Sequence, residues 1–397
     1  MVIRHIPFSN NARLFSVCLD IAMNTLRRPP LWLLTLLIMF PQLVETIYSP
    51  ALPGIAISFH VSSERAAQTL SVYFVAFAVG VAMWGWLSDC IGRRWAMLAG
   101  LICYGTGCAA AVVATDFSVL LLARMISAIG AAAGSVVVQT MLRDCYESTA
   151  LSRIFSVMGA ALALSPVFGL LSGGWLVSLY GHTGVFVALV LLALLLLILT
   201  ATMLPETRPE HTLSPKLAGL FSRMMRDNEL RKNALLVALL NTMLFSYYSL
   251  APFLFGQLGW SSRAFGWTGL LLAFASLSGS LLNRRLLTTG LTPERLVRYA
   301  CVLAALSGLV AWCLQHSAWI LIPVFGVVIA YGIAIPNVLS QALRHYREQA
   351  GAAGALFGLS YYLLLGMMLG LAGVVQQLGL VLSVCALLAW LCSLGRR

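Results

Sequence analysis

The feature that most constrains this chain is a rhythm: an apolar run of about 20 residues, a short polar break, then another run, repeated from residue 31 to residue 395. A run of roughly 20 apolar residues is what an α-helix needs to cross the hydrocarbon core of a bilayer. Inside that core only helices and closed barrels satisfy their own backbone groups. The runs lie near 31–53, 66–87, 95–115, 117–140, 153–178, 184–204, 234–255, 264–285, 297–314, 318–340, 353–374 and 377–395. The expectation is an all-α membrane protein of twelve transmembrane helices. Composition agrees: 60% of the residues are hydrophobic and 10% charged, where soluble domains carry about 25% charge.

The net charge of +12 raises the alternative of a nucleic-acid partner, and the placement of the charge removes it. Of the 25 Lys and Arg, 22 fall in every second loop or at the termini. Only Arg65 and Arg263 fall in the opposite loops, and Arg124 falls inside a span. Basic residues concentrate on the cytoplasmic side of membrane proteins, so this distribution predicts that both termini are cytoplasmic. It also checks the helix count, because losing one span would invert every later loop. The outer loops, such as Gly181-His182 and Gln315-His316, are too short to hold a catalytic domain.

Residues 1–30 form an N-terminal cytoplasmic segment in which 13–26 has an amphipathic pattern. No cleavage signature follows the apolar run beginning at Leu31, so a signal peptide is not expected. The charge pattern needs nothing before Arg27, which leaves Met23 as an alternative start. The nine cysteines, among them Cys18, Cys90, Cys103, Cys145 and Cys385, include no CxxC pair; neither a disulfide framework nor a zinc site is suggested. No cofactor, metal or nucleotide is expected, since no phosphate-binding glycine loop is present.

The most polar stretch, 205–233, holds ten charged residues and divides the spans six from six. Two six-helix bundles are predicted, 31–204 and 234–395, joined by a cytoplasmic linker. Faint internal similarity supports a duplicated unit. Tyr48-Ser49-Pro50-Ala51 is echoed by Tyr248-Ser249-Leu250-Ala251, and Gly85-Trp86-Leu87-Ser88-Asp89 by Gly279-Ser280-Leu281-Leu282-Asn283. Repeats of this kind are common in secondary transporters.

The sharpest motif is Gly85-Trp86-Leu87-Ser88-Asp89-Cys90-Ile91-Gly92-Arg93-Arg94, where the second span turns into the third. Glycines at both ends permit a tight reversal, and Asp89 is placed to cap the following helix and to pair with arginines. Here the chain resembles the major facilitator superfamily, with Cys90 departing from the usual basic residue. Tyr48-Ser49-Pro50-Ala51-Leu52-Pro53 and Pro205-Glu206-Thr207-Arg208 are similar to segments of its twelve-span drug:proton antiporters, particularly the bicyclomycin and chloramphenicol exporters. Arg124-Met125-Ile126-Ser127-Ala128-Ile129-Gly130 resembles the family's fourth-helix motif, with Ser127 in place of Gln. Ser165-Pro166-Val167-Phe168-Gly169-Leu170-Leu171-Ser172-Gly173-Gly174 resembles the antiporter motif of the fifth helix, with Leu170 in place of a second proline. The plainer reading of Pro166, Gly169, Gly173 and Gly174 is close helix packing, since Gly169 and Gly173 form a GxxxG pair.

Two ionisable groups lie well inside spans, Glu45 and Arg124, and each costs roughly 2.5 to 3.5 kcal/mol to place there. Counted from the outer ends of their helices, both lie about 10 to 12 Å deep. The resemblance implies that helices 1 and 4 line a central cavity in which the two would meet, although the family often carries its acid one position later, at Thr46. Glu45 shares a helical face with Gln42, Tyr48 and Ser49. One reading makes Glu45 a proton carrier and Arg124 its modulator; the other makes them a fixed ion pair. Asp116 reads as an outer cap of the fourth helix. In the second half, Asn241, Tyr248, Asn337 and either Tyr361 or Tyr362 are candidate cavity residues.

The resemblance implies a monomeric, proton-coupled exporter of small lipophilic compounds in the bacterial inner membrane. Its partners would be the solute, protons and the lipid bilayer. The alternatives are a facilitator or transporter of a metabolite such as a sugar, nucleoside or siderophore, and a receptor or enzyme on the same scaffold.

Overall fold

The computed structural model describes residues 28–146, 148–209 and 217–394. The amphipathic pattern at 13–26 and residues 210–216 of the linker lie outside the described residues. Every regular element described is helical. The first apolar run forms α1 (Leu31–Tyr48), a 3-10 turn (Ser49–Ala51) and α2 (Leu52–Ser58). Pro50 and Pro53 withhold backbone donors there, which tightens the chain into the 3-10 turn. Next come α3 (Ser63–Ile91), α4 (Arg93–Val112), α5 (Phe117–Cys145) and a long run α6 (Ser148–Met203). Within α6 only Gly181, at φ 66°, leaves helical geometry, where the sequence predicts a loop. The linker folds into α7 (Leu217–Arg226). The second half comprises α8 (Asn228–Gln257), α9 (Ser262–Thr288), α10 (Pro293–Cys313), α11 (Leu321–Ala342), α12 (Ala350–Val375) and α13 (Leu378–Leu394).

Among the described residues, 10 helices are long and apolar enough to cross a membrane, and Leu378–Leu394 is a shorter apolar helix. Several helices outrun the apolar segments that predict them: α3 and α5 each have 29 residues, about 43 Å at 1.5 Å per residue. Polar residues continue a helix beyond the hydrocarbon, because helical propensity does not end where hydropathy does.

The two halves of the chain carry the same internal bonds. Tyr48 on α1 donates its hydroxyl to Thr69 on α3 at 3.1 Å, and Tyr247 on α8 donates to Thr268 on α9 at 2.7 Å. Both pairs are 21 residues apart, and the displacement between them is 199 residues (247 minus 48; 268 minus 69). Ser62 caps α3 and Ser261 caps α9 at the same displacement. Gly80 lies against the Ile129 carbonyl and Ala132, as Gly279 lies against the Ile329 carbonyl and Gly332. These contacts correct the register of the repeat read in the sequence. Tyr48 corresponds to Tyr247, not Tyr248, and Gly279 to Gly80, not Gly85. A one-residue shift turns a side chain by about 100° around its helix, so the first echo would place the wrong tyrosine over the threonine.

Across the halves, α12 packs on α3 and α6 packs on α9. At one end of the molecule the halves are tied directly. Ser49 donates to the Tyr248 carbonyl at 2.5 Å, Ser249 to the Ala67 carbonyl at 3.5 Å, and the Arg263 guanidinium lies 4.4 Å from the Trp175 ring centroid.

Candidate functional site

Glu45 and Arg124 are both removed from solvent, with relative exposures of 5% and 1%. Among the described residues Glu45 and Arg124 form no ion pair with each other, and they interact through space. The guanidinium of Arg124 is instead held between two rings, 4.0 Å from the centroid of Tyr48 and 4.4 Å from that of Tyr73. A desolvated cation over an aromatic face gains about 2 kcal/mol. Two such faces therefore offset most or all of the roughly 2.5 to 3.5 kcal/mol that a charge costs in mid-membrane. Arg124 does not need a carboxylate to stay folded in place. Its Nε and Nη2 have no hydrogen-bond partner in the structure, so donors remain available to a group that arrives. The ring of Tyr48 is itself fixed by its bond to Thr69, whose hydroxyl goes on to the Ala66 carbonyl at 2.7 Å.

Tyrosines converge on Glu45 from both halves. Tyr73 on α3, Tyr248 on α8, Tyr331 on α11, and Tyr361 and Tyr362 on α12 all lie within electrostatic range of its carboxyl group. Tyr361 and Tyr362 have ring centroids 4.3 Å apart. Phe74 from the first half meets Phe245 at 4.5 Å and Tyr362 at 6.2 Å. The surroundings of Glu45 are thus aromatic and hydroxylated, a wall suited to flat apolar solutes that carry a few acceptors.

The sequence-derived cavity residues separate into groups. Tyr361 and Tyr248 join the tyrosines around Glu45. Asn241 is next to them, accepting from the Tyr331 hydroxyl at 3.1 Å and donating to the Val237 carbonyl at 2.8 Å. Tyr48 is completely buried as a support for Arg124. Gln42 is half-buried on α1, its carbonyl accepting from the Thr46 hydroxyl at 2.9 Å. Asn337 is bonded to Asn283 at 2.6 Å and to the Ile333 carbonyl at 2.7 Å, tying α11 to α9. Thr46, where the family often has its acid, faces the opposite way, against Gly169 of α6. Tyr362, a candidate together with Tyr361, joins the tyrosines around Glu45 as well, whereas Tyr73 and Tyr331 are not among the residues that the sequence points to. Tyr73 precedes two aromatic positions, Phe74 and Phe77, and reads as ordinary core.

The motif between α3 and α4 forms a second polar cluster. Gly92 stands at φ 100°, a conformation that favours glycine. Arg93, almost fully buried, bonds Asp89 at 2.6 Å, Asp144 at 2.9 Å and the Ser88 carbonyl at 2.9 Å. The expected cap is corrected: Asp89 belongs to the end of α3, and the amino terminus of α4 is capped by Glu206. One carboxylate oxygen of Glu206 accepts from the Arg93 amide at 2.8 Å and the other from the Arg94 amide at 3.1 Å. Glu206 also accepts from the amides of Thr207 and Arg208, both at 3.0 Å. Arg94 donates to the Ala201 carbonyl at 2.7 Å and Arg208 to the Cys90 carbonyl at 2.8 Å. The Pro205–Arg208 motif and the Gly85–Arg94 motif are therefore one clasp. A side chain at Gly92 would collide with the Glu206 carboxylate. Gly85 approaches Ala355 on α12, across the halves.

In α6, Gly169 and Gly173 lie against Thr46 and the Ile47 backbone, while Gly174 lies against Ser262 and Gly266 of α9. With Pro166 one turn earlier in the same helix, this segment is wedged between α1 and α9 at distances no side chain would allow. Asp116 sits at the start of α5 but its carboxylate makes no cap bond; it accepts only from Thr115, at 3.5 Å.

The described helices form a polytopic bundle that buries a carboxylate and an arginine between its two halves. The Major Facilitator Superfamily profile matches residues 31–371, and the chain belongs to that family. An uncharacterized transporter of Rickettsia bellii is 30% identical over 359 residues, 86% of this chain and 89% of the relative. A bicyclomycin resistance protein homolog of Haemophilus influenzae is 26% identical over 365 residues, 85% of this chain and 87% of the relative. The similarity to the bicyclomycin exporters read in the sequence thus extends along most of the chain. The Escherichia coli xylose transporter XylE, in a partially occluded inward-open conformation, shares the fold with a TM-score of 0.71 at 13% identity, covering 92% of this chain and 96% of that one.

Proposed function

We propose that this chain exports small lipophilic compounds, including drugs, across the bacterial inner membrane in exchange for protons. Two bundles, 31–204 and 234–395, joined by the linker 205–233, rock about the central site. Counting α6 as two crossings that meet at Gly181, and α13 as one more, gives twelve spans with both termini in the cytoplasm. Ser49, Ser249 and the Trp175–Arg263 contact then lie at the outer face, and their bonds across the halves correspond to a state shut to the outside. The protein acts as a monomer.

The observation that carries the reading is that Arg124 is held by two tyrosine rings while Glu45 has no ion pair. A carboxyl group bound in a permanent pair cannot cycle its proton, whereas one near a separately stabilised cation can. Protonated Glu45 is neutral and suits an apolar site. When a proton leaves inward, the carboxylate turns to the vacant donors of Arg124, and that exchange of partners biases the packing of α1 against α5. The surrounding tyrosines supply stacking surface for the solute.

The test is Glu45→Gln, which fixes the neutral form, in reconstituted vesicles. Proton movement on addition of a lipophilic probe drug should be lost, solute binding should persist, and folded yield should match the parent, because Arg124 keeps its rings. Unchanged proton-coupled transport would exclude Glu45 as the carrier. Efflux that ignores the pH gradient in the parent protein would identify a facilitator instead.

A further inference from the structure

Helix α7 of the linker has an exposed apolar strip that lies outside the candidate site. Its ten residues, Leu217–Arg226, place Leu220 and Met224 against the protein, on α8 and α12. One step further round the same helix, Phe221 and Met225 are 40% and 38% exposed. The opposite arc carries Arg223 and Arg226, both exposed. Only Asp227 separates α7 from α8, whose apolar run begins after six mostly polar residues, 228–233, or about 9 Å of helix; α7 therefore lies at the level of the headgroups. A helix there with apolar side chains on one arc and arginines on the other lies in the interface, its apolar arc toward the acyl chains and its cations among the headgroups.

We infer that α7 is a binding site for anionic phospholipid in the leaflet bordering the basic loops, with Phe221 and Met225 against the acyl chains and Arg223 and Arg226 on the headgroup phosphate. The acidic neighbours do not cancel these charges: over residues 217–233 Arg223, Arg226, Arg231 and Lys232 outnumber Asp227 and Glu229 by four to two. Asp227 also accepts from the amides of Glu229 and Leu230 and from the Tyr346 hydroxyl, and Glu229 lies 3.9 Å from His345. Arg223 is pre-positioned over the Tyr346 ring at 5.0 Å. The inference rests on the chain being a membrane protein and not on the proposed proton coupling.

The test uses the full chain in nanodiscs of phosphatidylcholine containing phosphatidylglycerol, with native mass spectrometry counting the lipids retained on the protein. Each arginine near an anionic surface contributes about fivefold, so R223Q/R226Q should lower the preference for phosphatidylglycerol roughly thirtyfold. R223K/R226K, which keeps the charge, should retain most of it, and its retention shows that the helix still docks. Equal phosphatidylglycerol retention by the parent and R223Q/R226Q would overturn the inference. So would loss in the lysine variant as large as in the glutamine variant, or displacement of the lipid by millimolar inorganic phosphate, which would make this a free-anion site.

Discussion

The two halves of this transporter share a scaffold and differ in charge. Tyr48 and Tyr247 make the same bond to a threonine, and each threonine passes its own proton to a carbonyl one turn back, Ala66 and Phe265. Over Tyr48 lies Arg124; Tyr247 instead stacks beside Phe265 at 5.9 Å. Carried through the repeat, Glu45 corresponds to Leu244 (244 minus 45 is 199). Gly80 and Gly279 align Ile129 with Ile329, so Arg124 corresponds to Val324 (both displaced by 200). Leu244 and Val324 are buried and apolar. At these equivalent positions the duplicated fold therefore has ionisable residues in the first half alone, and the second half supplies tyrosines around them. Charge in a membrane is expensive, and the second half does without it at these two positions.

Copying the second half onto the first is the most severe way to break the comparison. E45L/R124V should remain folded and inserted, since the equivalent aliphatic residues already pack in the other half, while proton-coupled transport in vesicles falls to background. Failure of the double variant to fold would mean that the pair is structural and that the two scaffolds are not interchangeable at this depth. The single variant R124V, which leaves Glu45 without its cation, should express less well than the double one.

The matching glycines give a smaller and symmetrical effect. Gly80→Val and Gly279→Val each push a side chain into the backbone of the neighbouring helix, and overpacking of this kind costs about 1 to 3 kcal/mol. Thermal unfolding in detergent should register losses of similar size for the two. A large loss at one and none at the other would contradict the register with which the halves were aligned.

The hydroxyl bonds should give the smallest change. Tyr48→Phe and Tyr247→Phe each remove one buried bond worth about 1 kcal/mol, with equal losses in stability and intact ring contacts. Transport kinetics sharpen the comparison: a defect confined to Tyr48→Phe, with a shifted pH profile, would place that hydroxyl on the proton path beside Glu45.

Much of this site was legible in the sequence because a buried charge announces itself. Glu45 and Arg124 stand out against apolar runs, and their depths follow from counting residues. Of the tyrosines around them, Tyr248 and Tyr361 were legible as polar groups in apolar runs, but Tyr73 and Tyr331 were not, since they read as core or interfacial aromatics. The clasp shows the same limit. Asp89, Glu206, Arg93 and Arg94 were all visible as motif residues, but the choice of Glu206 as the cap depended on where residue 206 returns after α6.

The sequence by itself determined the solvent, the helices and the orientation expected from the basic loops, and it marked the two charges inside the spans. These properties are sums along the chain: hydropathy over a 20-residue window, charge per loop, one carboxyl in an apolar run. Only the tertiary structure decided who touches whom. It paired Arg124 with two tyrosine rings instead of Glu45, turned Thr46 toward Gly169, gave the α4 cap to Glu206 and set the repeat at Tyr48 and Tyr247. Each of these depends on the rotation and depth of one helix against another, and a rotation of one residue changes every partner while leaving the hydropathy of the segment the same.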